Sequence, residues 1–106
     1  MKFKLFQLRH EEDTIRKYGF MDFDFAQEHG FSIEDYEVTY EGEIEAGRYI
    51  EETLENIWVK FNINRPEDFR GHSLSVSDIV QINGHFYYVE GIGFKVIDSH
   101  IDYDLL

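Results

Sequence analysis

The sequence predicts an α+β fold: a single small domain over residues 1–106 with a mostly antiparallel sheet of about five strands, one main amphipathic helix at about 48–62 and one or two short helices. Three stretches carry this expectation. In "RYIEETLENIWVKFN", apolar residues recur at the helical period. In "YEVTYEGEIE", residues 36–45, apolar and polar residues alternate as they do along a pleat. In the last third, short apolar runs are separated by Asn83-Gly84 and by Gly91-Ile92-Gly93, and Asn-Gly between apolar runs is the strongest short hairpin signal. Strands in series with a segregated helix indicate α+β rather than an alternating parallel fold.

Taken in chain order, "KFKLFQL" (2–8) reads as a first strand that places Phe3, Leu5, Phe6 and Leu8 in the core. "RHEEDTIRK" (9–17) follows as a charged loop. In "MDFDFAQEHG", Asp22 or Asp24 caps a short helix that Gly30 ends, turning Phe23 or Phe25 inward. Ser32 caps a turn through "SIEDY". Strict alternation over 36–45 then puts Tyr36, Val38, Tyr40 and Ile44 on one face and Glu37, Thr39, Glu41, Glu43 and Glu45 on the other. In the main helix, Ile50, Leu54, Ile57, Trp58 and Phe61 form the core stripe, with Glu51, Glu52 and Glu55 opposite. Asn62, Asn64 and Pro66 stop it. The strands "DIVQI", "HFYYVE" and "FKVI" complete a meander.

Composition narrows the function. Aromatic residues make up 17% of the chain, far too many for a disordered polymer, so a packed core is expected. There is no cysteine, which excludes disulfides, thiolate metal sites and cysteine nucleophiles and suits a reducing cytoplasm. "MKFKLFQLRHEED" is too short in its apolar part for a signal peptide or membrane span, so a soluble cytoplasmic protein is expected. Twenty-two acids stand against ten bases, a net charge of −12. Phosphate affinity comes from Lys and Arg, so direct nucleic-acid binding is not expected, and a protein partner with a basic surface is.

Catalytic and metal signatures are weak. His10, His29, His72, His85 and His100 are scattered without ligand spacing. In "DSHIDYD", Asp98, His100, Asp102 and Asp104 share parity on an extended chain and could gather around an ion, but a polar strand face explains them more simply. "GHSLSVSDIV" supplies His72, three serines and Asp78 without a nucleophile elbow; a capped turn from Ser75 to Asp78 that launches the next strand is the expectation. Gly91-Ile92-Gly93 is a turn or bulge, since the dinucleotide-binding glycine pattern is incomplete and no helix follows. No catalytic residue, cofactor or metal is assigned, and a non-enzymatic protein is expected.

The acids concentrate between Glu34 and Glu55, where nine carboxylates stand against Arg48 alone, a net −8 in 22 residues. Carboxylates two apart on a strand are about 6.6 Å apart, whereas duplex DNA carries a charge every ~1.7 Å of axis. Polyanion density therefore needs a second row, from Glu51, Glu52 and Glu55 or from Glu11, Glu12 and Asp13. The candidate partner-binding residues are Glu37, Glu41, Glu43, Glu45, Glu51, Glu52 and Glu55. The plainer reading is a solvated face that aids solubility.

"YEVTYEGEI", "FNINRPEDFRGHSLSVSDIVQI" and "HFYYVEGIGFKVI" together resemble the YodL-like domain family. The central block carries the resemblance through Phe61, Asn62, Pro66, Asp68, Phe69, Gly71, Ser73, Leu74, Ser75, Val76, Ser77 and Asp78. The last motif departs slightly, with Glu90 at the usual acid and Gly91 where a serine is typical. The resemblance implies a small domain common in bacteria, conjugative elements and phages, and it carries no established enzymatic activity, cofactor or catalytic residue to transfer. The expected function is a mobile-element binding protein whose acidic surface inhibits a nucleic-acid-binding host or defence protein, in the manner of anti-CRISPR or antirestriction proteins. The alternative is a structural or adaptor module that binds a bacterial partner through exposed aromatic residues.

Overall fold

The computed structural model describes residues 1–69 and 71–106, apart from the side chains of residues 12–14. Five antiparallel strands, β1 (Lys2–Leu8), β2 (Tyr36–Glu43), β3 (Ile79–Ile82), β4 (His85–Val89) and β5 (Phe94–Val96), form one sheet in the order β2-β1-β3-β4-β5. Three helices accompany them among the described residues: α1 (Glu12–Tyr18), α2 (Phe23–Glu28) and α3 (Ile50–Ile63). The architecture is the α+β arrangement expected.

Both faces of the sheet are covered, which is why β1 carries a nearly unbroken run of buried residues rather than a simple alternation. On one face Leu54, Ile57 and Phe61 of α3 pack on Phe3, Leu5, Val80 and Ile82. On the other, Tyr18, Phe23, Ala26 and Ile101 pack on Phe6, Leu8, Phe86 and Tyr88. All four β1 residues expected in the core are buried.

Several local expectations are corrected. The segment read as a charged loop at 9–17 contains α1, whose Ile15 and Tyr18 lie three apart on one helix side; Tyr18 is buried and its hydroxyl donates to Asp35 Oδ2 at 2.7 Å. Asp22 occupies the N-cap position of α2 but does not cap with its side chain. Its Oδ1 accepts from Gly91 N (2.8 Å), and Glu90 Oε2 accepts from Phe23 N (3.0 Å), so the helix start is satisfied by a residue from the far hairpin. Phe23 is the ring turned inward, while Phe25 stacks on His29 with centroids 3.8 Å apart. Gly30, at φ +84°, ends the turn, and Ser32 Oγ accepts from Glu34 N as expected. Trp58 is not core: it is 36% exposed, because the buried stripe of α3 runs through Leu54, Ile57 and Phe61, and Trp58 sits one position beyond its edge.

The largest correction concerns β2. Leu5 lies opposite Tyr40 and Phe6 opposite Val38, so Thr39 is an extra residue and the pairing slips by one. A one-residue slip exchanges the faces of everything beyond it. Tyr36 therefore joins the core under α1 and α2, whereas Tyr40 packs against the α3 side, and Val38 is largely exposed. The expected single glutamate face is divided in the same way. Glu37 shares the side of its partner Gln7, and Glu41 and Glu43 share the opposite side with Lys4 and Lys2.

Candidate functional site

Two groups of residues merit attention: the carboxylates named from the sequence and a buried polar cluster that joins His72, Ser75 and Asp78 to Gln7, a residue the sequence did not single out. Among the carboxylates, Glu41 meets Lys4 at 3.3 Å and Glu37 approaches Arg9 at 3.9 Å. Glu43 lies opposite Lys2 across the β1–β2 ladder. The acids of β2 are thus interleaved with cations of β1 and with Arg9 just after it.

The α3 carboxylates do not supply a second row beside them. Glu51 and Glu55 border the β5 edge of the sheet, and β2 is the opposite edge, four strand spacings or roughly 19 Å away. Glu52 turns instead toward the 45–48 loop, where Arg48 Nε lies 3.4 Å from its Oε2. Glu45 follows β2, and its main-chain oxygen accepts from Asn56 Nδ2. Glu12 and Asp13, named for the other possible row, have side chains outside the described residues. Glu51 and Glu55 remain without a cationic partner among the described residues.

The buried cluster joins β1 to the "GHSLSVSD" block. Gln7, only 1% exposed, donates through Nε2 to His72 O (2.8 Å) and to Asp78 Oδ2 (3.1 Å), which uses both amide protons. The same Asp78 oxygen accepts from Ser75 N at 2.8 Å, and Asp78 N donates to Ser75 O at 3.1 Å, the capped turn expected from the sequence. His72 Nδ1 lies 2.7 Å from Ser73 O, which assigns the proton to Nδ1 and leaves Nε2 facing Asp78 Oδ1 at 3.8 Å. Burial pushes the Asp78 carboxyl up to about 8, against the opposing pull of the Ser75 and Gln7 hydrogen bonds.

Ser77, at φ +83°, is held from three sides. Its N–H donates to Val89 O, its carbonyl accepts from Tyr36 Oη at 2.6 Å, and its Oγ accepts from Phe20 N at 3.1 Å. The cavity touching His72, Ser77 and Asp78 is about 70 Å³, well below the ~300 Å³ of small-molecule sites. The cluster therefore acts as a lock that fastens the 71–78 loop onto the sheet. Gln7 could have been found from the sequence: it shares parity with Phe3 and Leu5, and a polar residue on a core face demands partners.

Gly71 belongs to this lock. A Cβ there would overlap Gln7 Oε1 and press within 2.7 Å of the Phe69 ring. Gly71→Ala is expected to lower stability by about 1–3 kcal/mol, read from the urea midpoint at unchanged slope.

The "DSHIDYD" tail does not form an extended strand. Two 3-10 turns, Asp98–His100 and Tyr103–Leu105, interrupt it and abolish the shared parity. Asp98 accepts from Phe86 N (2.6 Å) and contacts His85 Nδ1 (2.7 Å), while Asp102 accepts from Asp104 N. Among the described residues, no group of three or more His, Asp or Glu is placed to hold a metal ion. Likewise no helix among them is long and apolar enough to cross a membrane.

A protein-family model described as YodL-like domain matches residues 2–99. No curated protein and no solved structure matches the chain.

Proposed function

The chain belongs to the YodL-like domain family, and on that premise we propose that it is a non-enzymatic, cytoplasmic protein-binding module whose partner-facing surface is α3 with the adjoining β5 edge. The observation that carries this reading is the outer surface of α3. Val59 and Ile63, one helical turn apart, are 47% and 79% exposed, the unpaired Glu55 and Glu51 continue the same i, i+4 row, and Trp58 adjoins Glu55 on the side toward the β5 edge. Large apolar side chains grouped with unneutralised acids suit a partner that presents both apolar and basic groups.

A second reading, obstruction of a nucleic-acid site on a host or defence protein by the acidic surface, is favoured by the net charge of −12 and by the mobile-element setting that the family resemblance implies. The division of the β2 glutamates between two faces and their pairing with Lys4 and Arg9 lower the charge density it needs.

Affinity capture from bacterial lysate at about 0.1 M and about 0.5 M salt, where the Debye length falls from ~10 Å to roughly 4 Å, separates the two. A partner retained at high salt and lost with Trp58→Ala, Val59→Ser and Ile63→Ser combined supports the module. Trp58 is two-thirds covered, so thermal unfolding checks the triple variant, and Val59→Ser with Ile63→Ser alone, at the more exposed positions, should stay within about 1 kcal/mol of wild-type stability and lose the same partner. A nucleic-acid-binding partner lost at high salt, indifferent to that variant and abolished by neutralising Glu37, Glu41, Glu43 and Glu45, would overturn it in favour of obstruction.

A further inference from the structure

We infer that the cleft between α3 and the free edge of β5 binds an extended basic segment of the partner by strand addition, an inference that rests on the protein-binding reading above. β5 is the last strand of the sheet, and only β4 pairs with it. Glu90 N donates to Gly93 O and Ile97 N donates to Phe86 O, so the hydrogen-bonded pairs of this hairpin are 90 with 93, 88 with 95, and 86 with 97. The backbone N–H and C=O groups of Phe94 and Val96 consequently point away from β4 toward the open edge. No described residue pairs with them.

Beside this edge lies a cleft of about 200 Å³ whose floor is Ile50, Leu54, Tyr87, Phe94 and Val96. A smaller cavity of about 150 Å³ continues it to Trp58 through the shared Glu55, Gly93 and Phe94. Glu51 and Glu55 stand on its rim without a cationic partner, and no Lys or Arg lines either part. The charge and shape together specify the occupant. On a strand added to β5, alternate side chains point into the cleft. A Lys or Arg there lays its aliphatic stem on Phe94 and Val96 and brings its charge to Glu51 or Glu55. Main-chain bonds to Phe94 and Val96 supply affinity, and the glutamates supply selectivity. The other edge, β2, is unsuited to a straight added strand because its register breaks opposite Leu5 and Phe6.

The test is an amide NMR titration of the labelled protein with a peptide of about eight residues alternating Lys and Thr, set against its Glu-Thr counterpart and an N-methylated Lys-Thr version. Saturable shifts at Phe94–Val96, Glu51 and Glu55 are expected with the basic peptide alone. N-methylation should weaken binding about two- to tenfold for each hydrogen bond removed. Glu51→Gln with Glu55→Gln should weaken it roughly two- to fivefold at about 0.1 M salt. Val96→Pro removes an outward N–H and also alters the apolar floor, so it should weaken binding at least as much as one N-methylation; if that variant misfolds, the methylated peptide makes the main-chain test on the wild-type protein. Absence of shifts, shifts confined to β2, equal binding of the acidic or methylated peptide, or dimerisation of the protein through the β5 edge in sedimentation would each overturn the inference. Should the peptide fail while the Trp58, Val59 and Ile63 variant still loses a salt-resistant partner, strand addition is wrong and the binding-module reading stands. If that variant also retains the partner, both are wrong.

Discussion

Asp78→Asn is expected to flatten the pH dependence of stability and to make the protein more stable than wild type above about pH 8. The folded-state carboxyl is pushed up to about 8 by burial, against ~3.9 in an unfolded chain. A folded pKa above the unfolded one means that the native state holds its proton longer. The contribution of this group is therefore full below about pH 4, declines as pH rises and is lost by about pH 8. This is opposite in direction to the usual salt-bridged carboxylate. Asn keeps the acceptor that Ser75 N and Gln7 Nε2 require and never ionises, so it escapes the cost of a buried charge. Urea unfolding of both proteins from pH 4 to pH 9 measures the effect. Parallel pH profiles would show that Asp78 ionises freely in the fold, with no abnormal burial cost.

Phe61→Ala is expected to remove about 3–5 kcal/mol, a large share of the ~5–15 kcal/mol of a typical domain. Phe61 is fully buried, and its ring meets Phe69 at 4.9 Å, Tyr40 at 5.2 Å and Phe3 at 5.8 Å, all close to edge-to-face. One side chain thus joins α3 to β1, to β2 beyond its bulge, and to Phe69. Loss of the ring opens a cavity at the point where those three elements and Phe69 converge. Thermal unfolding followed by near-ultraviolet circular dichroism reads the outcome. A loss below about 1 kcal/mol would mean that the aromatic cluster repacks around the gap.

Much of the fold was legible because local patterns sufficed. The β1 boundaries, the Asn83-Gly84 hairpin and the Ser32-capped turn follow from short-range chemistry that later packing did not have to change. Trp58 shows where such reading ends. On the helix it stands next to the core stripe, and the packing of α3 on the sheet leaves it at the margin beside Gly93 and Phe94, 36% exposed. The candidate site was legible in parts: Glu51 and Glu55 were named, but their separation from the β2 acids was not. Composition counts charges without saying which cations lie across a strand.

By itself the amino-acid sequence determined the α+β class, the order of the five strands with α2 and α3, the strong negative charge and the family, all of which depend on local periodicity, composition or motif. The tertiary structure alone decided that the β2 glutamates do not form one face, because a bulge exists only in the pairing of two strands. It also decided that Asp78 is buried beside Gln7, 71 positions away in the chain. Burial and ionisation are set by neighbours in space, and the chain's order does not specify these until it folds.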